Sequence, residues 1–143
     1  MLLVQRMVAE FSDRSATEQV RLLAERRVFL KRRWRGVAED GTEFGFDLES
    51  RLSNGCVIHR ADHADYVVWQ EPELVYEVLL ETPAQAALVG WKIGNLHLPV
   101  EVTERSVRAI HDPAMPQLCD REGWAFTEQT VVFNPLRVTA HAP

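Results

Sequence analysis

Cysteine is scarce in this chain: Cys56 and Cys119 are the only two among 143 residues, and they do not form a C-x-x-C pair. Zinc-finger spacing and a disulfide framework are both excluded, and two solitary buried thiols are the expectation. Long apolar runs are missing as well. No stretch approaches the ~20 apolar residues needed to cross a bilayer, so no membrane partner is expected. The opening Met1-Leu2-Leu3-Val4 is apolar for only four residues before Gln5 and Arg6. That is too short for the apolar region of a secretory signal. It reads as the start of a strand, and a cytoplasmic location is expected. Positive charge is in deficit, with 16 Lys and Arg against 21 Asp and Glu, a net of −5. A balance of that sign lacks the basic surface that drives nucleic-acid binding, so nucleic acid is not the expected main partner. Catalytic signatures are also missing. No H-E-x-x-H, G-x-S-x-G, P-loop or dinucleotide fingerprint occurs, and no nucleophile and base stand out as a set. The chain is therefore not expected to be an enzyme.

What remains is the composition of a folded globular protein, 46% hydrophobic and 26% charged, long enough for one ordinary domain or two very small ones. The character of the chain changes near Gln70-Glu71-Pro72. Before that point the readable pieces are strands. Residues 28–37 are β-rich, Asp40-Gly41 supplies a turn, and 42–48 alternate with Phe44, Phe46 and Leu48 on one face. Asn54-Gly55 marks another turn. Val57-Ile58 and 66–69 read as two more strands around a polar tip at 61–65. Residues 1–72 are thus expected to form a small N-terminal all-β domain.

The second half, 73–143, alternates differently. A buried strand is expected at 73–80. Thr82-Pro83 then reads as an N-cap followed by proline at the first helical position, opening a helix to about residue 93 that stops at Gly94-Asn95. That helix carries two apolar stripes: Ala84, Ala87, Leu88 and Trp91 form one, and Ala86, Val89, Gly90 and Ile93 the other. One stripe covers the helix's own sheet; the second asks for another cover, either the first domain or a second subunit. Strands follow at 98–102 and 107–110. A helix at 112–123 presents Met115, Leu118 and Cys119, with Pro116 awkward inside it. A last strand is expected at 124–133. The order strand, helix, strand, strand, helix, strand is the ferredoxin-like βαββαβ pattern, so the fold class is α+β. A short mobile tail is expected from 134.

Three groups of residues offer chemistry. His59, Asp62, His63 and Asp65 place four potential metal ligands within seven residues, although a polar hairpin tip looks the same. Lys31, Arg32, Arg33, Trp34 and Arg35 form a basic run with an embedded indole. It would suit a nucleic-acid or protein-binding module, or simply an edge strand guarded by positive charge. The third is Gly94-Asn95-Leu96-His97-Leu98-Pro99, which sets a single histidine just past a helix C-terminus. The partial negative charge of that end favours a bound cation, while a lone histidine is usually structural.

This last segment, in its setting, resembles the urease accessory nickel-chaperone family, UreE, whose G-N-x-H-x-P signature is matched by Gly94, Asn95, His97 and Pro99. The hairpin around Asp40-Gly41 and the string Leu52-Ser53-Asn54-Gly55-Cys56-Val57-Ile58 fall in order with it. Cys56 stands where an Asp is common in the family, and Leu96 where an Arg is frequent. The resemblance implies a homodimer in which the N-terminal domain contacts partner proteins and the C-terminal domain dimerises and binds metal. His97 and its symmetry mate would hold a nickel ion, with copper or zinc able to take the same site. It implies auxiliary ligands in His111, whose usual H-x-H partner is here Pro113, and in His141 of the tail. The implied task is to carry nickel to the urease accessory GTPase complex and apo-urease.

Overall fold

The computed structural model describes residues 1–137, and the chain divides into two compact units at Glu71/Pro72. In the first unit, β1 (Leu2–Val4), β2 (Gln19–Ala24), β3 (Arg33–Val37), β4 (Glu43–Asp47), β5 (Cys56–Arg60) and β6 (Asp65–Gln70) build two three-stranded sheets, with a single helical turn α1 (Arg26–Phe29) between β2 and β3. The sheet orders are β1-β4-β3 and β2-β6-β5. In β4 the alternation turns Phe44 and Phe46 inward. Phe46 receives Trp34 of β3 as a flat stack, with ring centroids 3.7 Å apart and planes 8° from parallel. Gly41 closes the β3–β4 turn at φ +89°, a conformation that side chains rarely adopt, and Asp40 Oδ1 accepts from Thr42 N at 2.9 Å. Both sheets feed one core, which holds Leu22, Phe44, Cys56 and Val68 without exposure.

Where the sequence pattern predicts strand from residue 28, the chain makes α1 instead. The reason lies in two adjacent apolar residues, Val28 and Phe29, that both face the core. A strand would send neighbours to opposite faces. One helical turn, closed by Leu30 N donating to Arg26 O at 3.1 Å, brings both inward.

The second unit runs β7 (Glu73–Leu79), α2 (Pro83–Gly94), β8 (Val100–Val102), β9 (Ser106–Ile110), α3 (Ala114–Glu122) and β10 (Thr127–Val131). The four strands are antiparallel in the order β10-β7-β9-β8, which is the ferredoxin-like arrangement. Val89 and Ile93 of α2 meet Met115, Leu118 and Cys119 of α3 over Tyr76, Val78, Val107 and Ala109 of the sheet. Thr82 Oγ1 accepts from Gln85 N at 3.1 Å, and Gln85 Oε1 accepts in turn from Glu81 N at 2.7 Å, a reciprocal cap that fixes where α2 begins. Pro116 is tolerated because the Asp112 carbonyl that its absent N–H would have reached accepts from Met115 N at 3.0 Å. Beyond β10, Phe133 is buried and Leu136 N donates to Val100 O at 2.7 Å, on the far edge strand. The residues of the expected tail from 134 to 137 therefore include a backbone contact with β8, while His141 lies outside the described residues.

Candidate metal centre

The segment after α2 is shaped by its neighbours in sequence. Leu96 and Leu98 both pack against the core of the second unit. Pro99 restricts Leu98 to an extended backbone, which starts the run into β8. The chain must turn between a helix end and that strand while keeping both leucines inward. It does so with Leu96 N donating to Ile93 O at 3.0 Å and His97 N to Gly94 O at 3.2 Å. His97 absorbs the reversal at φ +57°, the only left-handed residue other than glycine among the described residues. For a residue bearing a Cβ this region costs ~1–2 kcal/mol, and such strain gathers at functional sites. The His97 side chain is exposed.

Beside it lies the outer face of α2. Val89 and Ile93 are buried, but Ala84, Ala87, Leu88 and Trp91 are exposed, with 66% of Trp91 accessible. Of the two stripes expected from sequence, only one is covered within the unit. Lys92, on the flank, pairs with Glu122 of α3 and fixes the helix against its neighbour. Cβ atoms built on Gly90 and Gly94 would meet nothing, so the helix surface is also open there.

The other candidates stand apart. His111 follows β9, stacks on Tyr76 with centroids 4.6 Å apart, and lies 3.3 Å from Glu128 through Nε2. A metal at His111 would have to replace that carboxylate contact. The His59, Asp62, His63 and Asp65 run does not assemble. His59 and His63 lie 5.7 and 6.3 Å from the Tyr66 ring. Asp65 points to the opposite face of β6 and is buried, where it accepts from Ser12 Oγ at 2.7 Å and sits 3.3 Å from Arg14 Nε. Strand alternation forces this separation, since residues 65 and 66 cannot share a face. Ser12 and Arg14, in a segment without readable periodicity, carried no signal in the sequence as partners of Asp65. Cys56 and Cys119 are buried, and burial pushes the Cys56 thiol up to about 11 and raises that of Cys119 as well. Neither offers a thiolate near neutrality. Among the described residues, no three His, Cys, Asp or Glu side chains of one chain gather as a metal site.

The fold and this site define a two-unit α+β protein whose candidate chemistry is the binding of a cation at a surface imidazole, beside an open apolar helix face. Comparison with known proteins makes the class specific. Residues 73–142 match the family described as UreE urease accessory protein, C-terminal domain. Similar relatives are the urease accessory proteins UreE of Chelativorans sp., 32% identical over 107 residues that cover 73% of this chain and 68% of that protein, and of Nostoc punctiforme, 27% identical over 130 residues covering 86% and 84%. The UreE of Azorhizobium caulinodans is 28% identical over 109 residues, 75% of this chain, and the chain spans about half of that protein, 52%. The chain belongs to the UreE family of urease accessory proteins.

Proposed function

We propose that this protein is a urease accessory metallochaperone that works in the cytoplasm, carries nickel on His97, and hands it on for assembly of the urease active site. The observation that carries the reading is the state of His97, an exposed imidazole held in a strained left-handed turn at the end of an uncovered apolar helix face. One protomer offers a single ring there. A two-fold axis makes a residue meet its own copy, so two chains packed through Leu88 and Trp91 would bring a pair of imidazoles to one ion. Few protein ligands leave coordination positions open, which suits a carrier that must release its cargo. Imidazole binds only as the neutral ring, so uptake should fall on acidification. His141 and His111 are proposed as further ligands, with Gly94, Asn95 and Pro99 shaping the turn. Copper or zinc would also bind imidazole, and the choice of nickel rests on the family. The first unit is proposed to contact partner proteins, the urease accessory GTPase complex and apo-urease. The rival reading, a nucleic-acid module built on the basic run, is disfavoured by Trp34, whose face is already covered by Phe46. Titration calorimetry of nickel into the wild type and His97→Ala tests the proposal. One ion per two chains, lost in the variant, is expected, and equal uptake by both proteins would defeat it.

A further inference from the structure

A hollow of about 240 Å³ opens in the first unit beside α1 and the segment after β4. Its lining includes the buried side chains of Phe29, Leu48 and Leu52, and its rim carries Lys31, Arg32 and Arg51. The volume lies below the ~300–1,000 Å³ of small-molecule sites and suits one bulky apolar side chain. Lys31 and Arg51 are exposed and make no ion pair among the described residues, while Arg32 shares Asp47 with Arg33 at 3.4 and 3.3 Å. The one carboxylate of the lining, Glu49, is 3.6 Å from Arg6. The charge continues along the chain: residues 26–35 hold Arg26, Arg27, Lys31, Arg32, Arg33 and Arg35 and no acid, within a protein of net charge −5. Cations concentrated around an apolar seat, in an acidic protein, ask for a ligand of the opposite sign with an apolar centre.

From this juxtaposition we infer that the hollow docks an acidic segment of a partner protein. One bulky apolar residue of the segment seats on Phe29, Leu48 and Leu52, and flanking carboxylates face Lys31, Arg32 and Arg51. The inference rests on the reading that the first unit contacts partner proteins, and it is independent of the metal site. A nucleic acid fits less well, because no exposed aromatic ring lines the hollow for base stacking.

The test is fluorescence anisotropy on the full chain with a labelled peptide, Glu-Asp-Glu-Phe-Glu-Asp-Glu. Controls are the same peptide with Ser for Phe, one with Lys for every acid, and a labelled oligo-dT. The acidic Phe peptide should bind. Its affinity should drop at least tenfold with the Ser peptide and at least tenfold in the double variant Lys31→Glu, Arg51→Glu. Both substituted side chains are exposed, and circular dichroism checks that the fold is kept. The double variant should take up nickel like the wild type, and His97→Ala should bind the peptide like the wild type, so each reading can fail alone. Absence of binding, equal binding of the Ser or Lys peptide, or oligo-dT binding tighter than the peptide and lost in the same variant overturns the inference.

Discussion

The Tyr66 hydroxyl donates to Asp40 Oδ2 across 2.6 Å, tying β6 of one sheet in the first unit to the hairpin turn of the other. The bond favours ionised Asp40, whose pKa lies below its ordinary 3.8, with the Thr42 backbone N–H adding to the effect. It also favours neutral Tyr66, whose pKa is raised above 10.0 chiefly by that same bond. The depressed Asp40 contributes stability above pH 3.8 that is lost as pH falls through its folded value. The raised Tyr66 contributes below pH 10.0 and loses it as pH rises through its own. Tyr66→Phe should therefore cost ~1 kcal/mol in urea unfolding at neutral pH. The difference from wild type should close towards both ends of the pH scale.

His97 should show a trade between stability and binding. His97→Gly frees the left-handed turn of its Cβ, and urea unfolding should be harder by ~0.5–1 kcal/mol after the entropic cost of glycine. His97→Ala keeps the strain and should gain nothing. Both should lose nickel. Equal stability of the Gly and Ala variants would show that φ +57° carries no strain here.

Trp91→Glu tests the proposed pairing through the outer face of α2 and should not unfold the chain. The side chain is 66% exposed within one chain, so thermal melting of dilute protein should change little. For the proposed dimer, the dissociation constant from sedimentation equilibrium should rise at least ~10-fold, as expected for an aromatic anchor, and nickel uptake should fall with it.

The two cysteines should resist modification. Burial raises both thiols, Cys56 to about 11, with the charge of Asp120 adding at Cys119. Little thiolate is present near pH 7. Ellman's reagent should react with native protein at least ~100-fold more slowly than with protein in guanidinium, since labelling must await opening.

Asp65→Ala should remove an anchor that local sequence does not reveal. Its buried carboxylate accepts from Ser12 and faces Arg14 and Arg60. Loss of these charge-assisted contacts should cost ~2 kcal/mol, and hydrogen exchange should quicken around residues 12–14, which the contacts hold.

Much of the second unit could be read from the chain because its cues are local. Thr82 and Pro83 mark the start of α2, Gly123 ends α3 at φ +75°, and Met115, Leu118 and Cys119 repeat at helical spacing. The first unit was less legible where its pairing is distant. β2 carries little alternation of its own and becomes a strand by running parallel to β6, Gln19 opposite Asp65 through Ala24 opposite Gln70. β1 reads as a strand from Met1-Leu2-Leu3-Val4, but its register on β4, Leu2 opposite Phe44, does not follow from that run. Such registers are decided by partners more than forty residues away, and no window of sequence contains them. At the candidate site, the position of His97 after a helix was readable, while its left-handed backbone was not. That conformation belongs to the turn in which His97 N donates to Gly94 O, and a histidine at the position does not announce it.

The hydrogen bond from Leu136 to Val100 sets a leash. Val100 lies three residues past His97, and His141 lies five past Leu136. At ~3.3–3.6 Å per residue, those five residues reach no further than ~18 Å from the bond. Under the proposed role of His141 as a further ligand, a donor within that reach of the site would compete for an open coordination position at an effective concentration of about millimolar. Exchanging His141 for alanine should then speed nickel loss while leaving the number of ions bound unchanged.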